Sequence, residues 1–455
     1  VDKVNLKSFD TVYFLGIGGI GMSALARFFL SKNYRVAGYD KTSSPLTKSL
    51  EKEGAQIHYK EGINHIPKDF RDIENTLVVY TPAIPENHEE FQYYKSNGFD
   101  LYKRARILAE IANAGKSYAV AGTHGKTTTS ALLAHLFKDS GIDVNAFLGG
   151  ISWNYNTNFL VGKAKEVVIE ADEFDRSFHF LTPDVGLITS MDADHLDIYG
   201  DASGIRDSFL EFGTNVRNQG KLVYQKDLDI EGDYSYGIET EADFEGRNIR
   251  VEDGSFVFDL VALEKRVLSG IRFPLPGRHN IENAVGASAL AYLGGVHWTH
   301  IQKALESFKG VYRRFNVHFK SPERVYIDDY AHHPTEITVA ISAARELFPS
   351  KEVTVVFQPH LFSRTKDFAQ DFAHALDLAD QVYLLPIYPA REEPIEGVTS
   401  DWLVSLMEDV PGEVLDTKSL LQKMKSERPE MVLTLGAGDI DRLVEPIKKA
   451  LLHGN

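Results

Sequence analysis

Short apolar runs recur along the chain, and most are followed by a stretch whose apolar positions return every three or four residues. "TVYFLGI" (11–17) reads as a buried strand and "GMSALARFFLSKN" (21–33) as the helix after it. "RVAGYD" (35–40) and "TLVVYTPAI" (76–84) are further strands, and "TKSLEKEG" (47–54) is a helix stopped by Gly54. Strand alternating with helix predicts βαβ units and a parallel sheet.

A second block of the same kind begins near Lys116. "SYAVAG" is a strand, "KTTTSALLAHLFKDS" a helix closed by Gly141, and "EVVIEAD" and "DVGLITSM" are strands. Residues 221–272 break the rhythm. Short pieces such as "FVFDLVA" and "SGIRFPL", set apart by Gly and Asp, predict a small β region, and "HNIENAVGASALAYL" is then a helix stopped by Gly294-Gly295. From Tyr312 the alternation returns, with strands "RVYIDDY", "EVTVVFQP", "QVYLLPIY" and "MVLTLGAG" between helices such as "TEITVAISAARELF" and "TKDFAQDFAHALDL". The expected fold is α/β in three domains, 1–106, 107–312 and 313–455, the first and last Rossmann-like and the central one like a phosphate-loop ATPase. A length of 455 residues agrees with about three domains.

Composition narrows the class. The chain is 43% hydrophobic, as globular proteins are, and holds no apolar run near the ~20 residues that span a bilayer. It has no cysteine, which excludes disulfide and thiolate chemistry. With no apolar signal-peptide core in "VDKVNLKSFD", the expected compartment is the cytoplasm. A net charge of −16 disfavours broad nucleic-acid binding but leaves room for phosphates held by a few cations and backbone N–H groups.

Two loops fit that last description. Gly16-Ile17-Gly18-Gly19-Ile20-Gly21 satisfies G-x-G-x-x-G between a strand and a helix, and Asp40 ends the next strand, where a ribose-binding acid is expected. By pattern this is a site for a nucleotide diphosphate, and the pattern does not say which. The second loop, Gly122-Thr123-His124-Gly125-Lys126-Thr127-Thr128, ends as a Walker A loop does, but the first glycine of that motif falls on Val120. Lys126 is placed to reach the β- and γ-phosphates, and the Thr127 hydroxyl to ligate Mg²⁺. Glu170 and His195 follow the ends of two later strands, so both are candidates for the same phosphates and metal. Mg²⁺ prefers oxygen, which makes His195 the less expected ligand. Asp172, Glu173 and Asp194 read as solvated loop charges.

"GTHGKTTT", "EADEFD" and "DADHLDIYGD" together resemble the central domain of the Mur ligases, the ATP-dependent amide-forming enzymes of peptidoglycan precursor synthesis. "GIGGIGMSALA", "GRHNIENAVGA", "YRRF", "DDYAHHPTE" and "FQPHLFSRTKD" are similar to motifs of the branch that adds L-alanine to UDP-N-acetylmuramate. The resemblance runs from about residue 11 to "LGAGDI" at 435–440. It implies that the shortened loop is the family's ordinary ATP loop and that Gly16, Gly18, Gly19, Gly21 and Asp40 serve UDP rather than NAD.

The same resemblance implies Lys126 on the transferring phosphoryl group, Thr127 and Glu170 on a first Mg²⁺ (or Mn²⁺), and His195 on a second. It implies His279, Asn280 and Asn283 at the ATP base, Arg314 at the hinge to the third domain, and His124 at the muramate end. Tyr330, His332, His360 and Arg364 would form the amino-acid pocket, with a helical turn after Pro359 setting His360 and Arg364 on one face. The siblings that add later residues carry a carbamylated lysine downstream of the histidine motif. No lysine lies between His195 and Lys221, which agrees with the alanine-adding branch. The alternatives are a recycling ligase that joins a tripeptide to the same sugar nucleotide, an NAD-dependent oxidoreductase built on Gly16–Gly21, and a non-catalytic nucleotide-binding regulator.

Overall fold

A computed structural model describes residues 4–192, 199, 202–217, 219–253, 255–390 and 392–452. The first sheet is formed by β1 (Thr11–Leu15), β2 (Arg35–Tyr39), β3 (Gln56–His58), β4 (Thr76–Tyr80) and β5 (Leu101–Lys103). All its pairings are parallel, in the order β3-β2-β1-β4-β5. Around it lie α1 (Ile20–Ser31), α2 (Pro45–Glu53), α3 (Glu89–Ser96) and α4 (Arg104–Asn113). α2 shows why the sequence folds as read. Ser44 and Thr47 form a capping box, Pro45 opens the helix, and Gly54 closes it at φ +112°, a conformation that favours glycine.

The second sheet runs β15-β14-β13-β12-β11-β10-β6-β9-β7-β8. Its strands are β6 (Lys116–Ala121), β7 (Asn145–Ser152), β8 (Thr157–Leu160), β9 (Glu166–Glu170), β10 (Val185–Ile188), β11 (Lys221–Gln225), β12 (Tyr234–Ile238), β13 (Phe244–Glu252), β14 (Ser255–Ala262) and β15 (Lys265–Phe273). The β region expected at 221–272 is therefore an extension of the central sheet rather than a separate layer. With it go α5 (Lys126–Asp139), α6 (Ala202–Thr214), α7 (Arg278–Leu293) and α8 (Trp298–Ser307). The antiparallel β7–β8 hairpin was not legible in the sequence, because Gly149-Gly150 interrupt the apolar alternation of "NAFLGGIS".

The chain separates into two compact units, one comprising residues up to Arg247 with Leu260–Ser269 and Glu282–Lys309, the other the remainder. The first expected domain and most of the second thus fall in one unit, while residues 248–259, 270–281 and 310–312 of the second fall in the other, and the expected boundary at 106/107 falls inside α4. Within this unit one apolar cluster joins the sheets: Val12, Phe14, Leu25 and Phe29 belong to the same core as Ala119, Phe147, Phe159 and Ile169. Phe28 of α1 packs on Phe147 and Phe159, with ring centroids 5.7 and 6.0 Å away. Buried Asn158 of β8 donates to the Ile20 carbonyl (2.6 Å) and Ser23 Oγ (2.9 Å) in the first turn of α1, and accepts from Arg27.

The second unit holds β16 (Asn316–Lys320), β17 (Val325–Asp329), β18 (Val353–Phe357), β19 (Gln381–Leu384), β20 (Gly412–Val414) and β21 (Met431–Leu435), in the order β16-β17-β21-β18-β19-β20. Only the edge strand β16 is antiparallel among these pairings. α9 (Pro334–Leu347) packs Ile337 and Ile341 into the core under β17, β18 and β21, and α10 (Phe362–Asp367) follows β18. No helix among the described residues is long and apolar enough to cross a membrane.

Candidate active site

Both glycine loops leave the carboxyl ends of parallel strands and enter helices. After β1 the backbone turns at Gly16 (φ +88°), where a Cβ would stand 2.5 Å from Thr81 Cγ2. The Gly18 and Thr42 amides donate to the two oxygens of Asp40, at 2.7 and 3.0 Å. Asp40, read from sequence as a ribose ligand, is thus also a brace for the loop. Gly19 caps α1 without a side-chain hydrogen bond, so the helix presents its first N–H groups outward.

After β6 the chain turns at Gly122 (φ +140°) and Gly125 (φ +79°). A Cβ at Gly122 would lie 1.9 Å from Thr189 Oγ1, and one at Gly125 2.6 Å from Asn283 Oδ1. Glycine is required at both. Loop residues are tied to the end of β10: the His124 amide donates to Ser190 Oγ (2.8 Å), Thr123 Oγ1 pairs with Ser190 Oγ (2.9 Å), and the Asp192 amide donates to Thr123 Oγ1 (3.0 Å). His124 Nε2 stands 3.3 Å from Asp192 Oδ2. Asn283 accepts from Thr129 Oγ1 at 3.1 Å, which brings α7 to the loop. Thr128 is buried in the first turn of α5.

Lys126 is folded inward. Its ammonium donates to the carbonyls of Gly122 and Thr123 and to the Glu173 carboxylate, 2.7 Å from Oε2. Burial opposes that charge, but Glu173 and Glu170 outweigh it and hold the lysine pKa above its ordinary value. Burial likewise pushes Glu173 up to about 7 against the pull of Lys126. Glu173, 2% exposed, is no solvated loop charge, which corrects the sequence reading. Asp172 is partly exposed, as a loop charge is, and its Oδ2 accepts from Arg104 Nη2 at 2.9 Å.

The Thr127 hydroxyl donates to Glu170 Oε1 (3.1 Å), and the Gly149 amide to Glu170 Oε2 (3.1 Å). These are the hard oxygen donors that Mg²⁺ takes, so the residues present fit the metal implied by the sequence. Among the described residues no group of three or more His, Cys, Asp or Glu side chains could hold an ion. His195 and Asp194 lie outside the described residues. A cavity of about 270 Å³ opens beside the first loop, lined among others by Gly19, Gly21, Thr81, Arg104, Glu170 and Asp172, and it reaches the second loop only through Glu170, which accepts from Thr127.

In the second unit, the rings of Tyr330, His332 and His360 form a row with centroids 5.2 and 6.1 Å apart, ending in His360 stacked on Tyr388 at 5.7 Å. The Arg313 and Arg314 guanidinium groups each lie 5.1 Å from the Tyr330 ring. Glu336 accepts from the His332 amide (3.0 Å) and lies 3.9 Å from Arg314. Asp329, at the end of β17, accepts from the Phe315 and Ala331 amides (both 2.6 Å), and burial pushes its pKa up to about 6. Arg364 is buried in α10, but His360 precedes that helix and bridges to Tyr388. The shared helical face expected for His360 and Arg364 does not form, because Leu361 (φ +71°) turns the chain before the helix starts.

On α7, Asn280 donates its side-chain amide to the Pro276 carbonyl (2.7 Å), and burial drives the His279 imidazole down to about 4. Tyr388, Glu336, Glu173 and Arg104 were missed by sequence reasoning. Only Glu173 carried a signal, since "EADE" places acids at both ends of the turn that leaves β9.

Two glycine loops at strand ends, one of them closing in Gly-Lys-Thr, define a nucleotide-binding α/β protein with a phosphate loop. Family models match the chain in three consecutive pieces: Mur ligase family, catalytic domain, over residues 11–116; Mur ligase middle domain over 120–291; and Mur ligase, glutamate ligase domain, over 313–438. The chain is 50% identical over 442 residues to UDP-N-acetylmuramate–L-alanine ligase of Christiangramia forsetii, covering 97% of each protein. It is 49% identical to the same-named enzyme of Flavobacterium johnsoniae, over 98% of this chain and 99% of that one. Among solved structures it is similar to UDP-N-acetylmuramate-alanine ligase of Thermotoga maritima, with a TM-score of 0.82 and 28% identity over 98% of this chain and 100% of that one. A murein peptide ligase from Psychrobacter arcticus shares the fold, with a TM-score of 0.70 at 22% identity over 98% and 99%. The chain belongs to the Mur ligase family.

Proposed function

We propose that this chain joins L-alanine to the lactyl carboxylate of UDP-N-acetylmuramate at the expense of ATP, in the cytoplasm, where both nucleotides are supplied. The observation that carries the reading is the cavity shared by Gly19, Gly21, Glu170 and Asp172. A substrate held by its diphosphate on α1 extends through that cavity toward Lys126 and Thr127.

A carboxylate repels an amine and has no good leaving group. Attack of its oxygen on the γ-phosphorus of ATP gives an acyl phosphate and ADP. The amine of alanine then attacks the carbonyl carbon, and the tetrahedral intermediate expels phosphate to leave the amide. For the first step Lys126 turns from Glu173 to the γ-phosphate and neutralises the charge developing there. Loop amides from Gly122 to Thr128 hold the other phosphates. Mg²⁺, held by Thr127 and Glu170 with His195 serving a second ion, would supply further positive charge at the phosphates. The row Tyr330, His332 and His360, with Arg364, takes the amino acid. His279, Asn280 and Asn283 would serve the ATP base, and His124 the muramate.

ADP release with UDP-N-acetylmuramate plus L-alanine tests the reading. Release with a tripeptide and not with alanine would instead make the chain a recycling ligase. In Glu170→Ala, ADP release should need more Mg²⁺ than in the wild type, and an unchanged Mg²⁺ titration removes Glu170 as a ligand.

A further inference from the structure

The glycine loop 16–21 contains no lysine or arginine, so α1 offers a diphosphate only backbone N–H groups and the helix dipole. That dipole amounts to roughly half a unit charge, which leaves most of a diphosphate's charge unbalanced. Arg104, the first residue of α4, stands where the balance is needed. A Cβ placed on Gly21 would lie 2.6 Å from its Nη1 and 3.1 Å from its Cζ, so the guanidinium presses against the first turn of α1. The side chain is 22% exposed and lines the cavity that runs from Gly19 and Gly21 to Glu170 and Asp172. Its Nη2 is held by Asp172.

We infer that Arg104 is a binding residue for the diphosphate of the sugar nucleotide, closing it onto the N-terminus of α1, and that Asp172 positions it. The inference rests on reading the glycine loop as the UDP-sugar site. A guanidinium presents a planar fork. Here one edge is fixed by Asp172, while Nη1, beside Gly21, faces the phosphate oxygens. Asp172 follows Glu170 by two residues. One short turn after β9 therefore sets both the guanidinium that grips the handle and the carboxylate beside the ATP loop.

Calorimetric titration of the whole protein with UDP, and separately with ATP, tests this. In Arg104→Ala, UDP affinity should fall about ten- to a hundredfold with ATP affinity unchanged. Arg104→Lys, which keeps the charge and loses the fork, should recover part of the loss, and it carries the test if the alanine variant does not fold. Asp172→Asn should weaken UDP binding in the wild type and add nothing in Arg104→Ala, because it acts through the guanidinium. Wild-type protein that fails to bind UDP overturns the reading of the loop, and the inference with it. Wild-type affinity for UDP in Arg104→Ala, or equal loss of UDP and ATP, overturns the inference while leaving that reading in place. Additive losses in the double variant overturn the role of Asp172.

Discussion

The Lys126 ammonium lies 2.7 Å from the Glu173 carboxylate, and both side chains are withdrawn from solvent, 13% and 3% exposed. The charge of the loop's lysine is thus compensated within the protein. Lys126→Ala should abolish ADP release and leave UDP binding nearly intact. It also leaves Glu173 buried without its cation. Breaking such a pair costs about 3–5 kcal/mol when the partner stays charged. Glu173, already near 7, takes up a proton at low pH. The stability deficit of the variant should therefore be larger at pH 8.5 than at pH 5.5, as read by thermal melts; a deficit independent of pH refutes the coupling.

Gly122→Ala tests the loop's backbone. The new methyl meets Thr189 Oγ1 at 1.9 Å on a residue held at φ +140°. Positive φ alone costs an L-residue on the order of 1–2 kcal/mol. ATP binding should be lost and UDP binding kept, and titration with both nucleotides would show it. Normal ATP affinity would mean that the loop tolerates a displaced strand end.

Glu90 is fully buried in the first sheet's flank, where it accepts from Tyr13 OH (2.7 Å) and the Gly62 amide (3.2 Å). Burial pushes its pKa up to about 7. The folded state thus prefers the proton. Its contribution to stability is complete below the unfolded pKa near 4.5 and is lost as pH rises through 7. Glu90→Gln should gain on the wild type across that window, by on the order of 2 kcal/mol, and level off above it. Melting curves at intervals from pH 4.5 to 8.5 check the slope, and parallel curves would exclude the effect.

Arg364→Lys keeps a charge and loses the planar fork. The apparent KM for alanine should rise, with those for ATP and UDP-N-acetylmuramate changed much less. Loss of a charge-assisted contact, about 1.5–3 kcal/mol, corresponds to about ten- to a hundredfold in kcat/KM for alanine. A defect confined to ATP in steady-state kinetics would take Arg364 out of the amino-acid pocket.

What the sequence showed was local. Gly16, Gly122, Gly125 and Gly54 were legible because a left-handed turn or a crowded strand end leaves no other residue. Buried parallel strands were legible as unbroken Val, Ile and Leu runs. What stayed hidden depends on partners far apart in the chain. Arg104 meets Asp172 across 68 positions and Asn158 meets Ile20 across 138, and no period or spacing encodes such pairs. Glu173 was misread because an acid in a loop is usually solvated, and only folding brings Lys126 to it. The His360–Arg364 pair was misplaced because spacing of four implies a shared face only inside a helix, and the helix begins one residue beyond Leu361.

Asn158 holds the first turn of α1 to β8, and β8 belongs with β9 to one sheet. The glycine loop at the head of α1 and the acids at the end of β9 are therefore set at one span, like the jaws of a fixed caliper. On the proposed reading, a substrate gripped by its diphosphate would deliver to Lys126 only an oxygen that lies at the matching distance along its own skeleton. Acids with a longer or shorter arm would then be turned away by length, before any side group on the sugar is touched.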